Sequence, residues 1–179
     1  GMTFLNSSVS TGLFNDVSPL NSRLGSSPGT RFNLDLARVQ HITPQMNFVL
    51  RGSGQVATNP LYIAEQYAIG GPDTVRGYQQ AQLLGDNAYL VSAELRYSPI
   101  EDAADIFQLA FFLDHGGVSL KRPQPGDLPF GNNITGAGMG FRWAFTPGSN
   151  LRLDVGFPLT PIQGTSGSPM IYTGIQTRF

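Results

Sequence analysis

The chain has 179 residues, enough for one domain, and a formal net charge of −1, which excludes the broad basic surface that nucleic-acid binding requires. Charged residues make up only 13% of it, about half of the ~25% usual in a soluble domain, so a charged surface is not what keeps it dispersed. Cysteine is absent, which removes disulfide frameworks, thiolate zinc sites and thiol nucleophiles together. No run of about 18 apolar residues occurs, so a closed β-barrel is the remaining way for such a chain to cross a bilayer. The opening Gly1-Met2-Thr3 carries no secretory leader and resembles a cloning scar, so an excised piece of a longer protein is expected.

Taken from the N-terminus, the predicted elements are strands. Residues 2–14 read weakly as one, and a Ser/Pro/Gly/Asn-rich connection follows to residue 30. Residues 31–42 alternate with period two, Phe32, Leu34 and Leu36 on one face and Asn33, Asp35 and Ala37 on the other. Pro44-Gln45 is a tight break, since proline cannot donate to a ladder, and Met46, Phe48 and Leu50 resume the alternation. Residues 57–87 form a long excursion, with a little strand expected around residues 62–68; loops of this length in a compact domain carry function or lack order.

Residues 88–98 alternate most regularly, with Tyr89, Val91, Ala93, Leu95 and Tyr97 against Leu90, Ser92, Glu94, Arg96 and Ser98. After an acidic break around residues 99–105, residues 106–114 set Phe107, Leu109, Phe111 and Leu113 opposite Gln108, Ala110, Phe112 and Asp114. A long Pro/Gly loop is expected from Gly116 to residue 133. Residues 134–145 place Met139, Phe141 and Trp143 opposite Gly136, Gly138 and Gly140, a face so bare that something can approach its backbone. A turn at Pro147-Gly148, a strand over residues 151–157, a polar loop and a last strand over residues 170–179 complete the chain.

These are about eight strands of roughly 9 to 13 residues, against about 5 to 6 in soluble sheets. Long and short connections alternate strictly, the pattern of a transmembrane meander with short periplasmic turns and long outer loops. Glu94, Arg96, Asp114, Arg142, Arg152 and Asp154 all lie on the face away from the aromatics, as a polar lumen inside a lipid-facing wall requires. A soluble ligand-binding barrel would invert this polarity, and periodicity alone does not tell inside from outside.

The long excursion holds Val75-Arg76-Gly77-Tyr78, a permanent charge between a β-branched residue and a glycine. Phe112-Leu113-Asp114-His115-Gly116 offers a carboxylate on a strand's polar face. Arg76 is expected to meet Asp114 in the lumen, with Glu94 as a second acceptor, because a bidentate Arg–carboxylate pair is geometrically specific. A charge-swapped pair at positions 76 and 114 is then expected to restore what either single change loses.

The sequence GGPDTVRGY at residues 70–78, LGDNAYLVSAELRYSP at 84–99 and FLDHG at 112–116 resembles the two-partner secretion transporters. These are the outer-membrane haemolysin secretion/activation proteins, relatives of the barrel assembly machinery. The resemblance implies an all-β, antiparallel up-and-down transmembrane barrel of sixteen strands, of which residues 1–179 are the C-terminal half as a single segment. The N-terminal half and the periplasmic POTRA domains would lie elsewhere. It further implies that the loop of residues 57–87 folds into the lumen, where Val75, Arg76, Gly77 and Tyr78 dock on a wall motif of Phe112, Asp114, Gly116 and Glu94. Tyr172, Ile175 and Phe179 resemble the C-terminal signal of outer-membrane barrels. The implied partners are a secreted haemolysin- or adhesin-like exoprotein, outer-membrane lipid of a Gram-negative bacterium, and the assembly machinery during biogenesis.

No catalytic residue, cofactor site or metal site is expected, and no small-molecule substrate. Gly136-Ala137-Gly138-Met139-Gly140 lies within a strand with no helix to follow, unlike a phosphate loop. His41 and His115 lack a surrounding ligand motif, and no G-x-S-x-G elbow occurs. The alternative within the superfamily is a barrel assembly factor.

Overall fold

A computed structural model describes residues 1–11, 29–100, 106–123, 132–146, 148–162 and 167–177. In chain order the strands are β1 (Met2–Thr11), β2 (Thr30–Thr43), β3 (Met46–Ala57), β4 (Tyr67–Ile69), β5 (Leu83–Gly85), β6 (Asn87–Tyr97), β7 (Phe107–Ser119), β8 (Asn132–Thr146), β9 (Ser149–Pro158) and β10 (Met170–Thr177). Eight of them form one antiparallel sheet in the order β1-β2-β3-β6-β7-β8-β9-β10, a meander, while β4 and β5 pair separately. The two outer strands do not pair with each other, so the sheet is an open wall, a partial barrel.

Directly paired residues share a face, and the register therefore sorts the side chains. Leu95, Phe111, Met139, Val155 and Ile171 stand side by side across β6 to β10. On that face Phe111, Met139 and Ile171 are 49%, 54% and 70% exposed, as are Leu113, Trp143 and Phe157 to similar degrees. The other face buries Gln55, Ser92, Glu94, Asp114 and Asp154. Charges inside and aromatics outside is the reverse of a water-soluble barrel, and the soluble ligand-binding alternative falls with it. Apart from β10, with 8 described residues, the strands of this sheet have 10 to 15 residues and reach the ~9–11 that a tilted strand needs to cross hydrocarbon.

Pro44 and Gln45 turn β2 into β3 as their chemistry requires. One boundary differs from expectation: β7 runs through Gly116 and Gly117 to Ser119, where a Gly-rich loop was predicted. Gly116 is paired with Leu90 on one side and Ile134 on the other, so ladder bonds from two neighbours outweigh glycine's weak strand preference. The little strand expected at residues 62–68 lies at Tyr67–Ile69, preceded by a short 3₁₀ turn at Ile63–Glu65. The acidic residues 101–105, Pro147 and Phe179 lie outside the described residues.

The apolar core lies inside the wall, supplied largely by the excursion between β3 and β6. Ile69, Val75, Tyr78 and Leu83 of this loop pack against Leu90, Val118 and Ile134 of β6, β7 and β8. Asp86 staples the loop's end: its carboxylate accepts from the Leu61 and Lys121 backbone N–H groups, each at 2.8 Å, and from Gln66 at 3.1 Å. A buried carboxylate with three donors meets the requirement that buried charge be hydrogen-bonded.

Candidate functional site

The loop descends through a glycine pair. Gly70 and Gly71 have φ of +105° and +108°, and the Gly70 N–H donates to Thr74 Oγ1 at 2.9 Å, closing a knuckle over Pro72 and Asp73. Val75 to Tyr78 then cross the inner face of β7, β8 and β9, all four buried. Gly77 has φ +103°, and a Cβ there would lie 2.8 Å from the backbone of Phe157 and Pro158, so both conformation and space demand glycine. The wall is complementary: a Cβ on Gly136 would collide with the Arg76 carbonyl, and one on Gly156 would meet the Gly77 nitrogen. The bare face of β8 noted in the sequence is thus filled by loop backbone at Gly136, by the Phe112 ring and the Val155 carbonyl at Gly138, and by the Asp154 carboxylate at Gly140.

Arg76 is 2% exposed. Its Nε and Nη2 donate to the two oxygens of Asp114 at 2.7 and 2.9 Å, a bidentate fork, and its backbone N–H reaches the same carboxylate at 3.2 Å. Nη1 donates to Glu94 at 2.7 Å and lies 3.4 Å from Asp154. The guanidinium carbon sits 3.4 Å from the centroid of the Phe112 ring, a cation–π contact on a group already stripped of water. Burial disfavours the charged form of Arg76, but the hydrogen bonds and charge of Asp114, then of Glu94, outweigh it and raise the pKa above the ordinary arginine value.

The arrangement extends well beyond one pair. Glu94 also accepts from Arg96 at 2.7 Å and Arg142 at 3.1 Å. Asp154 accepts from Arg142 at 2.5 Å and Arg152 at 2.6 Å, and Ser92 donates to Asp114 at 2.7 Å. Arg152 closes the circuit on the loop, donating to Asp73 at 3.0 Å and to the Pro72 carbonyl. Arg76, Arg96, Arg142 and Arg152 face Asp73, Glu94, Asp114 and Asp154, so the lattice is charge-balanced. Such a set tolerates low-dielectric surroundings because the lone pairs of each buried carboxylate find donors. Chemically it is a clamp: it fixes the loop tip to three strands at once.

Tyr78 donates its hydroxyl to the Thr135 carbonyl at 2.7 Å and accepts from the Thr160 N–H at 2.9 Å. Tyr172, read in the sequence as part of a terminal signal, points inward opposite Asp154. Its hydroxyl accepts from the Gly77 N–H at 2.9 Å and donates to the Tyr78 carbonyl at 2.6 Å, pinning both sides of the tip. Ile175 lies on the opposite, apolar face and is 69% exposed. Val75, Arg76, Gly77, Tyr78, Glu94, Phe112, Asp114 and Gly116 all meet at this junction; Gly116 backs onto Val75.

Sequence reasoning put Asp154, Arg142 and Arg152 on the polar face without assigning them to the tip. Their signal was the alternation on β8 and β9; their partner was not readable from it. Both histidines are satisfied by neighbours: His41 bonds Asn47, and His115 bonds Tyr89 and Thr135.

A family model described as the haemolysin secretion/activation protein ShlB/FhaC/HecB matches residues 5–143. Among solved structures, CdiB from Acinetobacter baumannii has a TM-score of 0.64 with this chain at 22% identity, a likeness of fold. The match covers 84% of this chain and 27% of CdiB, so the chain spans about a quarter of that protein's length. No curated protein sequence matches.

Proposed function

This chain belongs to the haemolysin secretion/activation protein family ShlB/FhaC/HecB, and from that membership we propose that it forms part of a two-partner secretion pore in the outer membrane of a Gram-negative bacterium. The passenger is a large secreted exoprotein of haemolysin or adhesin type, and the work is conduction rather than catalysis. The loop of residues 58–86 is the plug, and Arg76 with Asp114, Glu94 and Asp154 is the latch that seats it. Tyr172 serves that latch, while the outward Ile175 suits recognition by the barrel assembly machinery during biogenesis.

One observation carries the reading: a guanidinium 2% exposed sits among three buried carboxylates on the inner face of a wall whose outer face is apolar. Such polarity is stable where lipid covers the outside and an aqueous path the inside. The test is secretion by the full-length transporter in cells that also make its exoprotein. Release into the medium is expected to depend on the transporter and to change when Arg76 is replaced at equal transporter abundance. Secretion unaffected by deletion would refute the reading, and a general loss of other outer-membrane barrels on deletion would favour the assembly role instead.

A further inference from the structure

Below the latch, toward the end of the wall where the short turns lie, the inner face holds a cavity of about 650 Å³. Arg51, Arg96, Arg142 and Arg152 line it with Gln108 and Asp73. The carboxylates that balance three of these arginines, Glu94 and Asp154, are 2% and 0% exposed and sit behind them. Of the charged groups that line the cavity, four are therefore guanidinium and one, Asp73, is a carboxylate. Arg142 and Arg152 each make at least three hydrogen bonds to neighbours. Arg96 spends only its Nε, on Glu94, and Arg51 closes no hydrogen bond or ion pair among the described residues.

We propose that this cavity is a docking site for polypeptide carboxylates, with the free forks of Arg51 and Arg96 as its donors; the passenger's acidic side chains are its occupants if the transporter reading holds. Two open guanidinium groups in a lumen match the planar, two-oxygen geometry of a carboxylate. A resident ligand of the same chemistry already occupies the rim: Asp73 of the plug loop, 84% exposed at its side chain, binds Arg152 at 3.0 Å. Asp73 lies three residues before Arg76 in the same loop. A carboxylate entering from the short-turn end thus competes with Asp73 for Arg152 and loosens the loop at the edge of its latch.

The experiment uses the full-length transporter in planar bilayers, with oligoglutamate added to the short-turn side and oligolysine of equal length as control. Oligoglutamate is expected to block the pore, more weakly as salt rises. The paired change Arg51→Gln and Arg96→Gln is expected to lower its apparent affinity roughly tenfold or more, for two charge-assisted donors lost. Asp73→Asn should raise that affinity by removing the competitor. Equal block by both peptides, or block unchanged in the double variant, overturns the proposal. Unchanged block with lower thermal stability of the double variant also overturns it, assigning the arginines to carboxylates elsewhere in the transporter's own wall. Block that follows these rules in a transporter secreting no exoprotein would leave the site standing and refute the secretion reading.

Discussion

Replacing Arg76 by alanine removes both bonds to Asp114, at 2.7 and 2.9 Å, the 2.7 Å bond to Glu94 and the ring contact with Phe112. The three carboxylates suffer unequally. Glu94 keeps Arg96 and Arg142, and Asp154 keeps Arg142 and Arg152, whereas Asp114 is left with the Ser92 hydroxyl and one backbone N–H. Breaking a buried pair costs about 3–5 kcal/mol, and with only one acid stranded the lower end, about 3 kcal/mol, is expected. At about 1.4 kcal/mol per factor of ten, the seated loop should lose roughly 100-fold of its population advantage.

A thiol reports this directly. Val75 is 0% exposed and the chain has no cysteine, so Val75→Cys in a thiol-free transporter reacts with a maleimide only when the loop lifts, at a rate set by the open population. Adding Arg76→Ala should speed labelling about 100-fold. Arg76→Lys should fall between, since it keeps the charge and loses the fork. A double cycle with Asp114→Ala should show strong coupling. The charge swap expected from sequence to rescue is instead expected to fail, because a carboxylate at position 76 would face Glu94 and Asp154 as well. Labelling unchanged within about threefold, or single effects that simply add, would refute the latch.

Gly136→Val should unseat the loop without touching any charge, because its Cβ meets the Arg76 carbonyl; labelling at position 75 should accelerate while β8 stays folded by infrared amide signal. Tyr172→Phe removes the bonds to Gly77 and Tyr78 and leaves the ring; at about 0.5–1.5 kcal/mol per bond, labelling should rise roughly tenfold. Leu113→Arg puts a charge on the outer face at a residue 52% exposed and should destabilise the vesicle-inserted barrel by about 2–4 kcal/mol in urea titrations. A negligible cost there would mean that lipid does not cover this face.

The strands were largely legible because their signal is local. A β-backbone turns successive side chains to opposite faces, so Phe107 to Asp114 declared two faces from spelling alone, and Pro44 declared a turn because it lacks a donor. Gly116 misled for the same reason: read locally it ends a strand, whereas ladders on both sides carry β7 three residues further. Arg76 and Asp114 could be matched as a lone charge in a loop and a lone acid on a polar face. Glu94, 18 residues away, was legible as a second acceptor on the same polar face, whereas Asp154 near the same guanidinium, 78 residues away, is a product of strand register. The inward turn of Tyr172 onto Gly77, 95 residues distant, has the same origin. Spelling alone sorts residues of a strand into faces, since backbone geometry fixes the period of two. Which face is the inside follows from the assembled wall, because it depends on what that wall encloses: a loop whose buried charge needs acids around it, set against an exterior of mostly exposed apolar side chains.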